Sequence, residues 1–259
     1  MEKKTIELYN ISTGEVTSNS AANYVKLLDA SGKEYRISLD NLAPVMAKLM
    51  PQMADGVFVA YHTAESWTSS FIRAVRPDEW ASVEASGKKA TGILLVEGGR
   101  HLLIALDEAP SAMYWGSGST LVGSALTDKT KTFEDFTGKS RTASIVASDA
   151  YSADGDSYAP GFCSAYSRLN DDGSGLAAGK WWLPSIGELA MIWANFKKIN
   201  YALSKVSGAT LLQATSYWSS TENSAANAWG LNLSSGHMST VGKSASQLRV
   251  RAVSAFLNS

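Results

Sequence analysis

One cysteine in the whole chain, Cys163, excludes an intrachain disulfide and any cysteine-rich zinc site. The three histidines, His62, His101 and His237, are scattered and show none of the spacings that place two imidazoles on one metal. No G-x-S-x-G elbow marks a nucleophilic serine, although serine itself is abundant. Charge is sparse, 18% of residues with a net charge of −1, and there is no Lys/Arg run, so neither nucleic acid nor an anionic membrane surface is recommended as a partner. No stretch approaches the ~20 apolar residues of a membrane span. Met1-Glu-Lys-Lys leads into Thr-Ile-Glu-Leu-Tyr-Asn and not into an apolar run, so no signal peptide or lipoprotein anchor is expected. A processed mature chain would read the same, which leaves export open.

The remaining composition is that of a globular protein. Hydrophobic residues make up 45% of 259, enough to bury a real core in one large or two modest domains. Eight tryptophans are many for this length, and six lie beyond Trp80. Such side chains bury large areas and carry one N–H donor, which suits a loop-rich fold whose core is filled by few, bulky groups.

Two units are expected, 1–87 and 88–259. In the first, Tyr24–Leu28 and Glu34–Leu39 read as strands around a turn at Gly32, and Asp40 caps a helical run from Asn41 to Met50 that Pro51 stops. Val57–Tyr61 and Ser70–Val75 are further strands, and Arg76 to Trp80 looks like a helix start. This small α+β unit carries no functional signature; attachment to a larger assembly, or oligomerisation, is its expected role. In the second unit, Thr91–Val96 and His101–Leu106 are apolar strands joined by Glu97-Gly-Gly-Arg100, a strong hairpin signal. From Ala109 to Lys180 the chain is rich in Gly, Ser, Asp and Thr and shows no long periodicity, so it reads as irregular.

The clearest local structure follows. Ser185 and Glu188 form a capping box before Leu189, Ile192, Trp193 and Phe196, spaced as one buried helical face. A second helix is expected from Tyr201 to Ser207, stopped at Gly208. The last fifth encloses a plain middle between two distinctive ends, Tyr217-Trp-Ser-Ser-Thr-Glu222 and Leu248-Arg-Val-Arg-Ala-Val253. Between Asn223 and Gln247 nearly every residue is Ser, Ala, Asn, Gly or Thr, and Lys243 is the one charge. Composition alone suggests a linker, yet Trp229, Leu231 and Leu233 alternate at strand period.

Four segments in order, Trp182-Leu-Pro-Ser-Ile-Gly-Glu-Leu189, Tyr217 to Glu222, Ala228-Trp229 and Val250-Arg-Ala-Val253 closed by Phe256, resemble one family. They are similar to C-type-lectin-like domains of the formylglycine-generating-enzyme branch, in particular the variable proteins of diversity-generating retroelements. The resemblance spans Thr91 to Phe256 and leaves the N-terminal unit outside. It implies an α+β fold in which the first strand pairs with the last around two helices and a long irregular region. The frame would rest on Trp182, Trp193, Trp218, Trp229 and Phe256.

In such proteins template adenines are replaced during reverse transcription, so change concentrates in Asn codons of the AAY type. These reach Ser, Gly, Ala, Thr, His, Val, Tyr and Asp, but not Trp, Met, Lys, Gln or Glu. Within a variable region of about 217–253, Asn223, Ser224, Ala225, Ala226, Asn227, Gly230, Asn232, Ser234, Ser235, His237, Ser239, Thr240, Val241, Gly242, Ser244, Ala245 and Ser246 are all reachable and are the expected contact positions. Trp229, Leu231, Leu233, Met238 and Lys243 stand where scaffold is expected, and Gln247 departs from the pattern. The plainer reading is that these are ordinary surface-loop residues of a lectin-like domain.

The resemblance therefore implies a non-catalytic binding protein, displaying these side chains on one solvent face to a protein or glycan receptor on a target cell. A virion tail or cell surface is the expected location, homo-oligomerisation is open, and an invariant adhesive or structural module is the alternative. The formylglycine enzymes depend on thiols or copper, which one cysteine does not supply; Cys163 reads as a small buried hydrophobe. No cofactor is expected. Asp154-Gly-Asp156 and Asn170-Asp-Asp-Gly173 offer clustered oxygens, with Asp156 and Asp171 the best candidates for calcium, but they read first as turn formers.

Overall fold

Strand pairing in the computed structural model, which describes residues 24–28, 34–38, 54–65, 68–151 and 155–255, gives a mixed α and β protein with antiparallel sheets. The chain divides into two compact units, 1–53 and 54–259. The first shows one antiparallel hairpin, β1 (Tyr24–Leu28) with β2 (Glu34–Ser38), as the strand–turn–strand pattern predicts. The helix expected over 41–50 lies outside the described residues.

In the second unit a five-stranded sheet runs in the order β12-β6-β5-β3-β4. Its strands are β3 (Gly56–Glu65), β4 (Thr68–Val75), β5 (Ala90–Glu97), β6 (Arg100–Ala105) and β12 (Val253–Ser254). Because β3 pairs with β5 from Gly56↔Val96 to Tyr61↔Ala90, residues 54–87 belong to this sheet. The boundary therefore falls at 53/54 and not at 87/88. Between β4 and β5 a 3-10 turn at Pro77–Glu79 leads into α1 (Trp80–Ala85), which buries Trp80.

The β5–β6 hairpin follows from its turn. Gly98 and Gly99 sit at φ 55° and 77°, the left-handed pair that matches the twist of flanking strands and that side chains disfavour. Most of β5 is buried on both faces, which is why its sequence is a continuous apolar run instead of an alternation. The end of the chain closes on this hairpin through Val253↔Ile104 and Ser254↔Leu103. The strand expected over 248–253 is interrupted: Leu248 bridges Met113, Arg249 lies parallel to Tyr217, and only the last residues join β6.

The stretch 109–180 is not irregular throughout. It holds α2 (Lys129–Thr132), α3 (Gly138–Ala147) and α4 (Ala159–Ala165), and a small hairpin of β7 (Arg168–Leu169) with β8 (Gly175–Leu176). Helix α3 escapes pattern reading because it buries only Gly138, Thr142 and Ile145, too little apolar surface to leave a stripe. Next come α5 (Ile186–Ala194) and α6 (Phe196–Leu203). The second helix thus starts five residues before the expected Tyr201 and ends before Ser207. Leu189 and Ile192 enter the core, but Trp193 is 40% exposed. A three-stranded sheet, β11-β10-β9, completes the unit from β9 (Ser216–Glu222), β10 (Asn227–Asn232) and β11 (Met238–Gly242). Side chains of β9 and β10 share one core with α5, α6 and the large sheet.

Candidate functional site

All six residues from Tyr217 to Glu222 are buried. Burial of hydroxyls and a carboxylate is tolerable only with internal partners, and nearly every group has one. The Tyr217 hydroxyl donates to Glu108 Oε2 at 2.9 Å, and the Trp218 indole donates to the Met113 carbonyl at 2.8 Å. Ser219 Oγ donates to the Trp229 carbonyl at 2.6 Å. Thr221 Oγ1 donates to Asp135 Oδ2 at 2.6 Å and accepts from the Ile186 N–H at 3.0 Å. Ser220 Oγ is the exception, with no partner.

Glu222 ends the strand in an ion pair. Its Oε1 lies 2.5 Å from Lys243 Nζ, and the two side chains are 1% and 0% exposed. The ammonium also donates to the Thr120 carbonyl at 2.8 Å and lies 4.4 Å from the centre of the Trp115 ring. Burial lowers the Lys243 pKa, against the pull of the Glu222 carboxylate and its hydrogen bond. The same carboxylate accepts from the N–H groups of Val122 and Gly123, and Trp229 Nε1 donates to the Leu126 carbonyl at 2.7 Å. The loop 120–126 is thereby tied to both ends of the plain stretch. Arg251, in the closing motif, is likewise buried, donating to the carbonyls of Ala105 and Thr210 at 2.9 Å each. Burial lowers its pKa.

Trp229, Leu231, Leu233, Met238 and Lys243 are all buried. Sixteen of the seventeen expected contact positions are exposed or half-buried: Asn223, Ser224, Ala225, Ala226, Asn227, Asn232, Ser234, Ser235, His237, Ser239, Thr240, Val241, Gly242, Ser244, Ala245 and Ser246. Gly230 is the seventeenth and is buried, since a Cβ there would lie 2.8 Å from Leu248 Cδ1. On the face of β10 expected to meet solvent, Leu248 thus covers position 230. Register also divides the exposed positions of β11. Ser239 and Val241 pair with Gly230 and Ala228 on one face, whereas Thr240 pairs with Trp229 on the other. The accessible set therefore wraps an edge strand and its turns instead of filling one flat face.

Asn232 does more than face outward. Its Oδ1 accepts from the Ser234 N–H at 2.9 Å, the Ser234 hydroxyl at 2.6 Å and the Ser235 N–H at 3.2 Å, holding the β10–β11 turn. Gly236 follows at φ 72°, and a Cβ added there would lie 2.4 Å from Trp193 Cζ2. The half-exposed indole of α5 thus packs directly against this turn, a contact that helical spacing did not reveal.

The other candidates lie apart. The Ser185–Glu188 capping box forms, the Ser185 N–H donating to Glu188 Oε2 at 2.7 Å, and burial pushes the Glu188 carboxyl up to about 7. Cys163 is buried, which raises its thiol pKa well above normal. His62 is buried 2.8 Å from Thr91 Oγ1, and burial lowers its pKa. Asp156 is exposed, and Asp171 is exposed and paired with Lys89 at 2.7 Å. Among the described residues no three His, Cys, Asp or Glu side chains gather as a metal site. Asp154 and Phe256 lie outside them. No helix among them is long and apolar enough to cross a membrane.

No protein-family model matches the chain, and no curated protein matches it. Among solved structures it is similar to a fimbrial protein from Bacteroides ovatus ATCC 8483, with a TM-score of 0.42 and 19% identity. The match covers 60% of this chain and 36% of that one, so the chain spans little more than a third of that protein's length.

Proposed function

We propose that residues 54–259 form a C-type-lectin-like domain of the formylglycine-generating-enzyme subtype. On this reading the stretch 223–246 is a retroelement-diversified binding surface, and the protein binds a receptor without catalysis, as a phage or prophage receptor-binding protein. One observation carries the reading. Within 24 residues, Trp229, Leu231, Leu233, Met238 and Lys243, where scaffold is expected, are buried, while sixteen of the seventeen expected contact positions are accessible; Ala228 and Gly236, also of reachable types, are buried and half-buried. A stretch that merely loops over a surface has no reason to sort its residues that way. Pairing of the chain's last strand with β6 supports the fold assignment.

The frame also suits the task. Ordering a loop on binding costs about 0.5–1.5 kcal/mol per immobilised side chain. Here the turns are already fixed by Asn232 and by the Glu222–Lys243 pair. The unit 1–53 is assigned attachment to a larger assembly, on a virion tail or a cell surface. Sequencing the DNA beside the gene tests the proposal. A near-copy of the codons for 215–255, differing at template adenines and lying beside a reverse transcriptase gene, is expected. Its absence would leave an invariant adhesive or structural module.

A further inference from the structure

Trp193 is the one large side chain on α5 that turns away from the core: Ile192, Leu189 and Met191 are buried, whereas its indole is 40% exposed. An exposed tryptophan whose ring is already held in place offers a large apolar contact area with little side-chain entropy left to lose on binding. The ring is held, because the backbone of Gly236 lies against Cζ2 and Cε2, closer than any Cβ would permit. The indole N–H has no hydrogen bond among the described residues, so both a ring and a free donor are presented beside the β10–β11 turn. Around it stand Ser234, Ser235 and His237, all exposed. A second exposed aromatic, Phe133 at 41%, follows Thr132, whose hydroxyl lies 3.5 Å from Met238 Sδ two residues further along.

We propose that Trp193 is a fixed contact residue of this surface: an anchor that stays constant while its neighbours vary, and on which an uncharged protein surface docks. The inference rests on reading 223–246 as a variable binding surface. Two observations select the partner. The accessible side chains of 223–246 carry no formal charge, so a strongly charged partner would find nothing to pair with and would lose solvation. The cavities at Trp115–Tyr151–Gly161, at Arg141–Glu222, at His62–Asp171 and at Val57–Tyr201 are lined neither by Trp193 nor by residues of 223–246, whereas small ligands take concave sites. A tryptophan held beside uncharged, accessible side chains has the composition of a protein–protein hot spot. A corollary concerns position 236. Although its codon class permits variation, the ring and the left-handed φ hold it to glycine.

The test is a selection on the full chain displayed on cells, with 234, 235, 236, 237, 239 and 240 randomised and ubiquitin as the target. Binders are expected, nearly all with Gly236, and restoring Trp193→Ala in each should weaken binding by about tenfold or more at unchanged display level. Where Trp193→Ala impairs display, Trp193→Phe assigns the indole N–H resonance of the parent, which should shift on adding ubiquitin. Losses under about threefold across independent clones, or an unmoved resonance, would overturn the anchor and leave the variable surface standing. Ala at 236 at parity with Gly would remove the ring contact from the account. Binders to maltoheptaose with the same Trp193 dependence, and none to ubiquitin, would overturn the choice of a protein partner. No binders to either would overturn both this inference and the reading beneath it.

Discussion

Ser219, Ser220 and Thr221 in β9 are fully buried, whereas Ser234, Ser235 and Ser244 only a few residues on are exposed. The side-chain chemistry is the same and the fate opposite. What separates them is where the fold places them. The first group lies between β10 and the segment 248–250, with Asp135, the Trp229 carbonyl and the Ile186 N–H within hydrogen-bond reach. The second lies on turns where water completes whatever the turn leaves open. Small polar residues thus serve as core where other elements close over them, with Ser219 and Thr221 bonded internally and Ser220 Oγ left unpaired, and as display where they sit on turns open to water.

The largest expected effects fall on the buried side of this contrast. Trp218→Ala or Trp229→Ala should lower unfolding free energy by about 3–5 kcal/mol in urea titrations, through the cavity and the lost indole hydrogen bond to the Met113 or Leu126 carbonyl. Lys243→Met, which strands the Glu222 carboxylate in the interior, should cost a similar ~3–5 kcal/mol. Adding Glu222→Leu to it should recover much of the loss, because removing both charges also removes the stranded one. A Lys243→Met variant as stable as the parent would show that the pair does not anchor the stretch.

A smaller effect depends on pH. The Glu188 carboxyl is raised by burial from 4.5 to about 7, so the folded state binds its proton more tightly than the unfolded state. Its contribution is complete below about pH 4.5 and is lost as pH rises through about 7. Glu188→Gln should flatten that decline, by on the order of 1–3 kcal/mol between the two limits. Parallel pH profiles of the two proteins would contradict it. Asn232→Ala should cost about 1 kcal/mol by releasing the turn that three bonds hold. Ser234→Tyr, Ser239→Tyr and Ser244→Tyr should stay within about 0.5 kcal/mol of the parent.

Much of this was legible in the sequence because local rules and tertiary outcome agreed. Gly98-Gly99 imposed a hairpin, Ser185 and Glu188 opened a helix, and Trp229, Leu231 and Leu233 alternated into the core. Where they disagreed, reading failed for identifiable reasons. The alternation that places Gly230 outside assumes a sheet with one open face, but Leu248 closes the second. Trp193 matches the helical stripe yet lies at its margin, where α5 gives way to α6 and the turn of β10–β11 takes over the contact. The boundary near 87 could not be corrected from periodicity, since pairing of β3 with β5 is a long-range event that leaves no local mark. The roles of Lys243 and Arg251 were equally hidden, as a lone charge among small residues gives no sign of a buried acid that is distant in sequence.

The most direct test of the central claim is a substitution scan of every position from 217 to 250 in the full chain, read by surviving folded protein after protease challenge. The account predicts that the sixteen accessible positions accept most residues, Asn232 least readily. Positions 217–222, Trp229, Gly230, Leu231, Leu233, Gly236, Met238 and Lys243 should accept almost none. Tolerance spread evenly across the stretch, or intolerance at Ser234, Ser239 and Ser244 equal to that at Trp229, would contradict it.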